Sequence, residues 1–197
     1  MAGRHQYQDA FDYSLHAFRS KKPEIMADLA DVTWEEPLFK FNYLNIPICL
    51  NWQTGEILPN NLSTEEKIII YQYLSESSGI SRDCNRWISF LELPEGQHHY
   101  QPFIKEAIEP IAHKFGTNPA LFLRAGEKLG GLRVQGGDAS FKFQVFPKIA
   151  LMVMLWEEDD EFPARSNILF DSRSGCHLAT ATLYMLGIEV SKRLLAI

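Results

Sequence analysis

The sequence predicts an α+β fold in which helices pack on a mixed, mostly antiparallel sheet and a long helix closes the chain. Stretches with helical periodicity and stretches with two-residue periodicity follow one another without strict alternation, which favours α+β over a parallel α/β sheet. The uniformly apolar residues 149–155 are typical of a central strand that is buried on both faces. Apolar side chains then recur every three or four residues from Leu183 to Ile197, which indicates the long C-terminal helix.

The N-terminal part of the chain predicts two helices and a hairpin. Apolar residues at helical spacing indicate an amphipathic helix over residues 6–19. Pro23 suits the first turn of a second helix that ends at Ala30. The period then changes to two, which predicts two strands joined by a turn at residues 43–45. Because Pro47 has no N–H group to donate, its strand should lie at a sheet edge or contain a bulge there.

The middle of the chain predicts a capped helix, a strand and a distorted helix. Ser63 and Glu66 have the spacing of a capping box, in which each side chain binds the backbone of the other residue. Residues 87–93 have an extended pattern. Residues 100–115 place their apolar side chains on one helical face, and Pro110 should distort this helix because it cannot donate a hydrogen bond.

The last third predicts one more helix and three strands before the closing helix. Asn118 is followed by proline, as at the start of a helix, and Gly130 suits the end of that helix. The strands are predicted at residues 141–145, 149–155 and 166–170, with a turn at Pro147 and Lys148 between the first two. Gly187 lies inside the closing helix and marks either a kink or a close packing contact.

Length and composition limit the classes of protein that fit this chain. A chain of 197 residues fits one domain over residues 1–197, and it can bury a sizeable core without a disulfide or metal. The net charge of −6 disfavours a nucleic-acid binder and a protein that sits on anionic lipid. We expect a cytoplasmic location, because the sequence has no secretory pattern and no apolar run long enough to span a bilayer.

The acidic run at residues 157–161 directly follows the predicted central strand. Glu158 and Asp160 from this run, together with Asp138 and Asp171, are candidate oxygen ligands for Mg²⁺ or Ca²⁺. However, alternate residues of an extended segment point to opposite faces, so the whole run cannot converge on one ion. The alternative is a solvated loop that protects the sheet from aggregation, and the pattern favours this loop.

Gly136, Gly137 and Asp138 immediately precede an alternating strand and form a candidate ligand-binding turn. Glycines at this place would let backbone N–H groups approach a phosphate, although neither a P-loop nor a dinucleotide-binding fingerprint is present. A turn with positive φ angles explains the glycine pair without a ligand, and we favour that interpretation. Trp156 is a further candidate, because tryptophan can line a pocket for a flat ligand as well as fill a core.

His177 follows Asp171 closely, at the end of the last predicted strand. An imidazole there could act as a base or as an axial ligand, with Asp171 orienting the ring. The alternative is that Asp171 or Ser174 caps the C-terminal helix and that His177 lies in the first turn of this helix. We favour the alternative, because the sequence supplies no complete set of catalytic residues around His177.

Two stretches of the chain have a characteristic sequence. The first is Arg86 to Gly96 with Tyr100 and Phe103, and the second comprises Leu129 to Gly131, Gly136 to Phe141, Leu155 to Glu157, Asp160 to Ala164, and Leu169 to Asp171. Together they resemble a family of uncharacterised proteins from anaerobic bacteria and archaea, described as a domain of unknown function, and the resemblance covers nearly the whole chain. The family implies no activity.

The resemblance extends to members of that family that are fused to a short four-cysteine iron–sulfur domain, of a kind also found on corrinoid proteins of methyl-group metabolism. The three cysteines of this chain, Cys49, Cys84 and Cys176, are scattered and do not form such a cluster. The resemblance therefore implies a link to anaerobic cofactor chemistry, with a corrinoid or iron–sulfur protein as the partner. It does not imply a mechanism.

Three hypotheses about function follow from these observations. The first is a non-catalytic accessory protein that binds a small molecule or cofactor, such as a corrinoid or another tetrapyrrole, near Trp156, Asp138 and His177, or that docks on a redox partner. The second is a metal-dependent enzyme in which the acidic residues bind the ion and His177 is the base. The third is a structural partner protein with an exposed apolar patch. We rank the first hypothesis above the other two.

Overall fold

The computed structural model describes residues 2–80, 84 and 86–197, with side chains from residue 8 onward. These residues form helices and two antiparallel sheets, so the α+β prediction is confirmed. The chain begins with helix α1 (Ala2–Arg19) and helix α2 (Pro23–Ala30). Helix α2 has the predicted limits, whereas α1 begins four residues earlier than predicted.

The first sheet has the strand order β1-β2-β3-β4. Its strands are β1 (Thr33–Glu35), β2 (Leu38–Tyr43), β3 (Ile46–Asn51) and β4 (Ile57–Leu58). The predicted hairpin is β2–β3, which turns at Leu44 and Asn45, both with positive φ angles. Pro47 pairs with Asn42 of β2 and lies outside the two residues of β3 that pair with β4, so it occupies an edge position as predicted.

Helix α3 (Thr64–Glu76) follows and has the predicted capping box. The Glu66 N–H group donates to Ser63 Oγ over 3.1 Å, and the Ser63 N–H group donates to Glu66 Oε2 over 2.9 Å. Strand β5 (Trp87–Ser89) is shorter than the predicted extended segment, because a 3₁₀ turn replaces it from Phe90. The Glu92 carboxylate drives this turn, since it accepts both the N–H group and the hydroxyl of Ser89.

The predicted helix over residues 100–115 is present but distorted. It consists of α4 (Tyr100–Phe103), a π-helical turn (Ile104–Ile108) and α5 (Glu109–Phe115). The wide turn lies immediately before Pro110, which cannot donate to the preceding turn and whose ring would collide with it. Helix α6 (Pro119–Lys128) begins as predicted, with the Leu121 N–H group donating to Asn118 Oδ1.

The second sheet has the order β5-β9-β8-β7-β6. Its further strands are β6 (Leu132–Arg133), β7 (Ala139–Phe146), β8 (Ile149–Trp156) and β9 (Arg165–Asp171). The apolar strand β8 lies at the centre, as its sequence predicts. The two sheets meet where the Leu44 N–H group donates to Val145 O and where Tyr43 packs on Phe146. Tyr73 of helix α3 stacks on the same Phe146 ring.

Helix α7 (Thr180–Leu195) is the predicted long C-terminal helix. Gly187 marks a close contact within it, because a Cβ atom at this position would lie 2.5 Å from the Phe103 ring. Phe103 in turn stacks on Phe90 and contacts Phe170 of β9. This packing places α7 and α4 against the second sheet.

Candidate functional site

The eight candidate residues lie at two opposite ends of the second sheet. Six of them, Gly136, Gly137, Asp138, Trp156, Glu158 and Asp160, lie at the end where β7 begins and β8 finishes. Asp171 and His177 lie at the other end, beside the β7–β8 turn. Strand β8 has eight residues, so about 23 Å separate the two ends at about 3.3 Å per residue. The sequence-based set is therefore two sites.

An open groove of about 620 Å³ occupies the first end. Its walls include Asp138, Trp156, Asp159, Phe162, Arg165 and Asn167, and we call it the Trp156 groove. Arg165 begins β9 directly opposite Trp156, which finishes β8. The hairpin between these strands carries the acidic run, so the groove is formed by strand ends on one side and by that hairpin on the other.

The turn at Gly136 and Gly137 positions Asp138 at this groove. Both glycines have positive φ angles, of 143° and 52°, which explains the glycine pair by turn geometry as expected. The Asp138 N–H group donates to Leu155 O over 2.9 Å, and Asp138 Oδ2 accepts the Glu157 N–H group over 2.8 Å. Asp138 thus fastens the start of β7 to the end of β8, and it is one of the residues that line the groove.

The acidic run is a structured turn. Asp159 Oδ1 accepts the N–H groups of Glu161 and Phe162, and the Glu158 N–H group donates to Gly116 O. Glu158 and Asp160 are exposed and do not line the groove. Among residues 2–80, 84 and 86–197, no three acidic, histidine or cysteine side chains are grouped so that they could hold a metal ion. Asp171, the fourth predicted oxygen ligand, lies at the far end of the sheet.

Aromatic and cationic side chains form the opposite wall of the Trp156 groove. Trp156 is 37 % exposed and Phe162 is 56 % exposed, which are large fractions for such side chains. The Arg165 guanidinium lies 5.9 Å from the centre of the Phe162 ring and so makes a cation–π contact with it. An exposed indole, a phenyl ring and a guanidinium side by side present flat surfaces on which a planar ligand can stack.

Sequence reasoning missed Asp159, Arg165 and Asn167 as groove residues. Arg165 and Asn167 lie two positions apart on β9, and in the β8–β9 register they are opposite Trp156 and Met154. Because positions two apart share one face of a strand, this register would have identified them. The alternating pattern of β9 already places these two residues on one face. Their position opposite Trp156 and Met154 follows once the length of the β8–β9 connection is known.

The second end of the sheet has a different character, because its polar side chains are buried. Asp171 and His177 are 0 % and 1 % exposed. The Asp171 carboxylate accepts the N–H groups of Cys84 and Arg173 over 3.0 and 2.9 Å. Neither ring nitrogen of His177 has a hydrogen-bond partner among the described residues, so Asp171 does not orient this imidazole by a hydrogen bond.

The predicted role of His177 in the first turn of the C-terminal helix is wrong. Helix α7 begins at Thr180, and the residue before it, Ala179, has no capping side chain. A 3₁₀ turn at Ser174–Cys176 intervenes, in which the His177 N–H group donates to Ser174 O. The capping role predicted for Asp171 or Ser174 is therefore wrong as well.

Burial lowers the pKa of His177 to about 4. Removal of the ring from water is the main cause, because a buried imidazolium loses its hydration. The positive charge of Lys148 lowers the pKa of His177 further, and the negative charge of Asp171 partly opposes this. Lys148 is itself 7 % exposed and donates from Nζ to Ser78 O over 3.3 Å. His177 is thus a buried, neutral ring at pH 7, and its pKa responds to the charges of both Lys148 and Asp171.

Within the described residues, no helix is both long and apolar enough to cross a membrane. Comparisons with curated proteins and with solved structures gave no match. Comparison with family models gave a match over residues 22–193, which is most of the chain and includes both ends of the second sheet. The chain therefore belongs to the family described as a domain of unknown function, DUF3786.

Proposed function

We propose that this chain is a non-catalytic accessory protein that binds a flat organic cofactor, or another small planar molecule, in the Trp156 groove. The groove itself is the observation that supports this function most directly. Its volume of about 620 Å³ lies within the range of about 300–1,000 Å³ that is usual for small-molecule sites. The stretches that carry the family resemblance, Gly136 to Phe141 and Asp160 to Ala164, also contribute to its walls.

The side chains of the groove define the chemistry of the ligand. Trp156 and Phe162 offer ring faces for stacking, while Arg165 can stack or donate hydrogen bonds. Asp138, Glu157 and Asp159 place acceptors at the rim, so the carboxylates outnumber the guanidinium. A planar nitrogen heterocycle with N–H or amino donors fits this combination better than a phosphate or a carboxylate does.

The resemblance supports a corrinoid as the first ligand class to test. A groove of about 620 Å³ has room for the benzimidazole base of a cobalamin. In this proposal the amide groups at the edge of the corrin ring face the carboxylates at the rim. In this proposal the protein works in the cytoplasm beside a corrinoid or iron–sulfur protein in anaerobic metabolism. It would hold the cofactor while the partner performs the chemistry.

The metal-dependent enzyme is a weaker candidate. A hydrolytic ion needs carboxylates that converge on one point with an open coordination position. Asp138 and Asp171 belong to opposite ends of the second sheet, and Glu158 and Asp160 face solvent. The predicted ligand set therefore cannot share one ion, at ordinary oxygen-ligand distances of about 2.0–2.6 Å.

Calorimetric titration with three compounds tests the binding proposal. The compounds are cobalamin, cobinamide, which lacks the nucleotide base, and free dimethylbenzimidazole. We expect cobalamin and the free base to bind and cobinamide to bind more weakly. Trp156→Ala should weaken binding about tenfold or more, since stacking on an aromatic side chain contributes about 1–3 kcal/mol per base. Leu132→Ala is the matched control, because Leu132 is an exposed apolar residue of β6 outside the groove.

Two outcomes would contradict the proposal. Equal affinity of wild type and Trp156→Ala for cobalamin would place the ligand outside the Trp156 groove. Failure of all three compounds to bind at millimolar concentration would reject a planar ligand. The exposed Trp156 and Phe162 would then point to the structural partner protein, in which this surface contacts another protein.

A further inference from the structure

We propose that a second groove, between the two sheets, binds a small neutral ligand that is rich in hydroxyl groups, such as a monosaccharide. Its volume of about 410 Å³ lies within the range of about 300–1,000 Å³ that is usual for small-molecule sites. We call it the inter-sheet groove, and its polar lining consists of Asp31, Thr33, Lys40, Asn42, Asn45 and Gln144. None of these residues lines the Trp156 groove, so the two grooves are separate sites.

The inter-sheet groove lies where two strands continue beyond their neighbours. In the described part of the chain, β1 pairs with β2 no further than Lys40, so residues 41–43 of β2 form an open edge. Strand β6 pairs with β7 no further than Lys142, so residues 143–146 form a second open edge, apart from the bond that the β2–β3 turn donates to Val145 O. Such edges suit a small molecule better than an added strand, whose usual length is about 5–6 residues.

Amide side chains give the groove both hydrogen-bond donors and hydrogen-bond acceptors. Asn42, Asn45 and Gln144 are exposed in its walls, and each amide has two N–H groups and one carbonyl oxygen. Thr33 adds a hydroxyl group, which also donates and accepts. A ligand rich in hydroxyl groups matches this lining, because each of its hydroxyls can donate one hydrogen bond and accept others.

Two of these amides are held in place by the protein itself. Gln144 Nε2 donates to Phe146 O over 2.7 Å and lies 3.3 Å from two further carbonyl oxygens at the β7–β8 turn. The carbonyl oxygen Oε1 is therefore the group that Gln144 can offer to a ligand. Asn45 packs closely on Gly130, where a Cβ atom would lie 2.7 Å from Asn45 Nδ2. Side chains that are fixed in advance lose less conformational entropy when a ligand binds.

The charges at the groove favour a neutral ligand over an anion. Lys40 forms an ion pair with Glu35, which offsets its positive charge, and Asp31 adds a carboxylate to the lining. The half-buried Phe41 ring, whose centre lies 6.3 Å from that of Phe146, supplies an apolar surface in the same groove. A sugar ring combines the two requirements, because it presents hydroxyl groups at its edge and C–H groups on its face.

Saturation-transfer NMR on the full chain tests the proposal with matched ligands. The ligands are D-glucose, N-acetyl-D-glucosamine, D-glucuronate and triglycine amide. We expect the two neutral sugars to bind at millimolar concentration. Glucuronate differs from glucose by a carboxylate and should bind about fivefold more weakly, because the Asp31 carboxylate repels it.

Four variants assign the binding to the inter-sheet groove. Asn42→Ala and Asn45→Gly should each weaken glucose binding about fivefold, because each removes an amide that can form hydrogen bonds with the ligand. Asn45→Gly preserves the turn, since glycine readily adopts the φ angle of 62° at this position. Gln53→Ala removes an exposed amide outside the groove and should bind glucose like the wild type, as should Trp156→Ala.

Three outcomes would overturn the proposal. The first is that neither neutral sugar receives saturation at millimolar concentration, or that Asn42→Ala and Asn45→Gly both bind glucose as tightly as the wild type. The second is binding of triglycine amide in place of the sugars, which would assign the open strand edges to a peptide. The third is loss of glucose binding in Trp156→Ala, which would place the sugar in the Trp156 groove.

Discussion

The two ends of the second sheet carry similar residue types in opposite environments. At the Trp156 groove, Asp138 is exposed and accepts one backbone N–H group, and its neighbours are solvated carboxylates and exposed rings. At the other end, Asp171 is fully buried and accepts two backbone N–H groups, beside a buried lysine and a neutral histidine. The difference shows that residue type alone does not define a site, because burial decides what the same carboxylate contributes.

The largest expected effect tests this contrast directly with matched aspartate variants. Asp171→Ala removes a buried charge that satisfies two backbone donors and offsets the nearby charge of Lys148, so we expect a loss of about 3–5 kcal/mol of unfolding free energy. Asp138→Ala removes one hydrogen bond in an exposed turn and should cost about 1 kcal/mol. Urea unfolding of both variants measures the two values. Equal losses would contradict the contrast between the two ends.

The second prediction concerns the effect of His177 on how protein stability depends on pH. The pKa of this ring falls from an ordinary value of 6.5 to about 4 on folding, because burial disfavours the imidazolium. The unfolded chain therefore binds more protons between pH 6.5 and pH 4, so stability should be complete above pH 6.5 and should fall as the pH decreases to 4. The loss should reach about 3 kcal/mol.

The variant His177→Gln isolates this pH effect from that of the other groups. It cannot titrate, so its unfolding free energy should change less than that of the wild type between pH 6.5 and pH 4. His113→Gln is the control, because His113 is exposed on α5 and should keep the wild-type slope. An unchanged slope in His177→Gln would show that the ring is not a neutral buried group in the folded protein.

The elements that the sequence predicts correctly are those with a local physical signal. Ser63 and Glu66 each accept a hydrogen bond from the backbone N–H group of the other residue within one helical turn. The apolar run of β8 indicates burial on both faces, whatever position the strand has in the sheet. The element limits that were predicted wrongly depend on contacts between residues a few positions apart. These contacts override the periodic pattern of apolar residues. Glu92 ends β5 early by capping Ser89, and Pro110 produces a π turn instead of a simple kink.

The candidate site was less predictable, because it depends on which strand ends meet. Asp138 and Trp156 are 18 positions apart in sequence and adjacent in the β7–β8 hairpin, and both were identified from sequence. Asp171 and His177 were assigned to the same site, although the antiparallel path of β9 returns them to the opposite end. Lys148 was interpreted as a turn residue. Its burial comes from the end of α3, and no local sequence pattern indicates that contact.

The smallest predicted effect uses one glycine from each end. Gly137 has a φ angle of 52°, and a Cβ atom there would lie 2.5 Å from Leu155 O, so Gly137→Ala should lower stability by about 1–3 kcal/mol and disturb Asp138. Gly175 has open space around it, so Gly175→Ala should change stability by less than about 0.5 kcal/mol. Thermal unfolding compares the two. A large loss in Gly175→Ala would mean that the turn before α7 is tightly constrained.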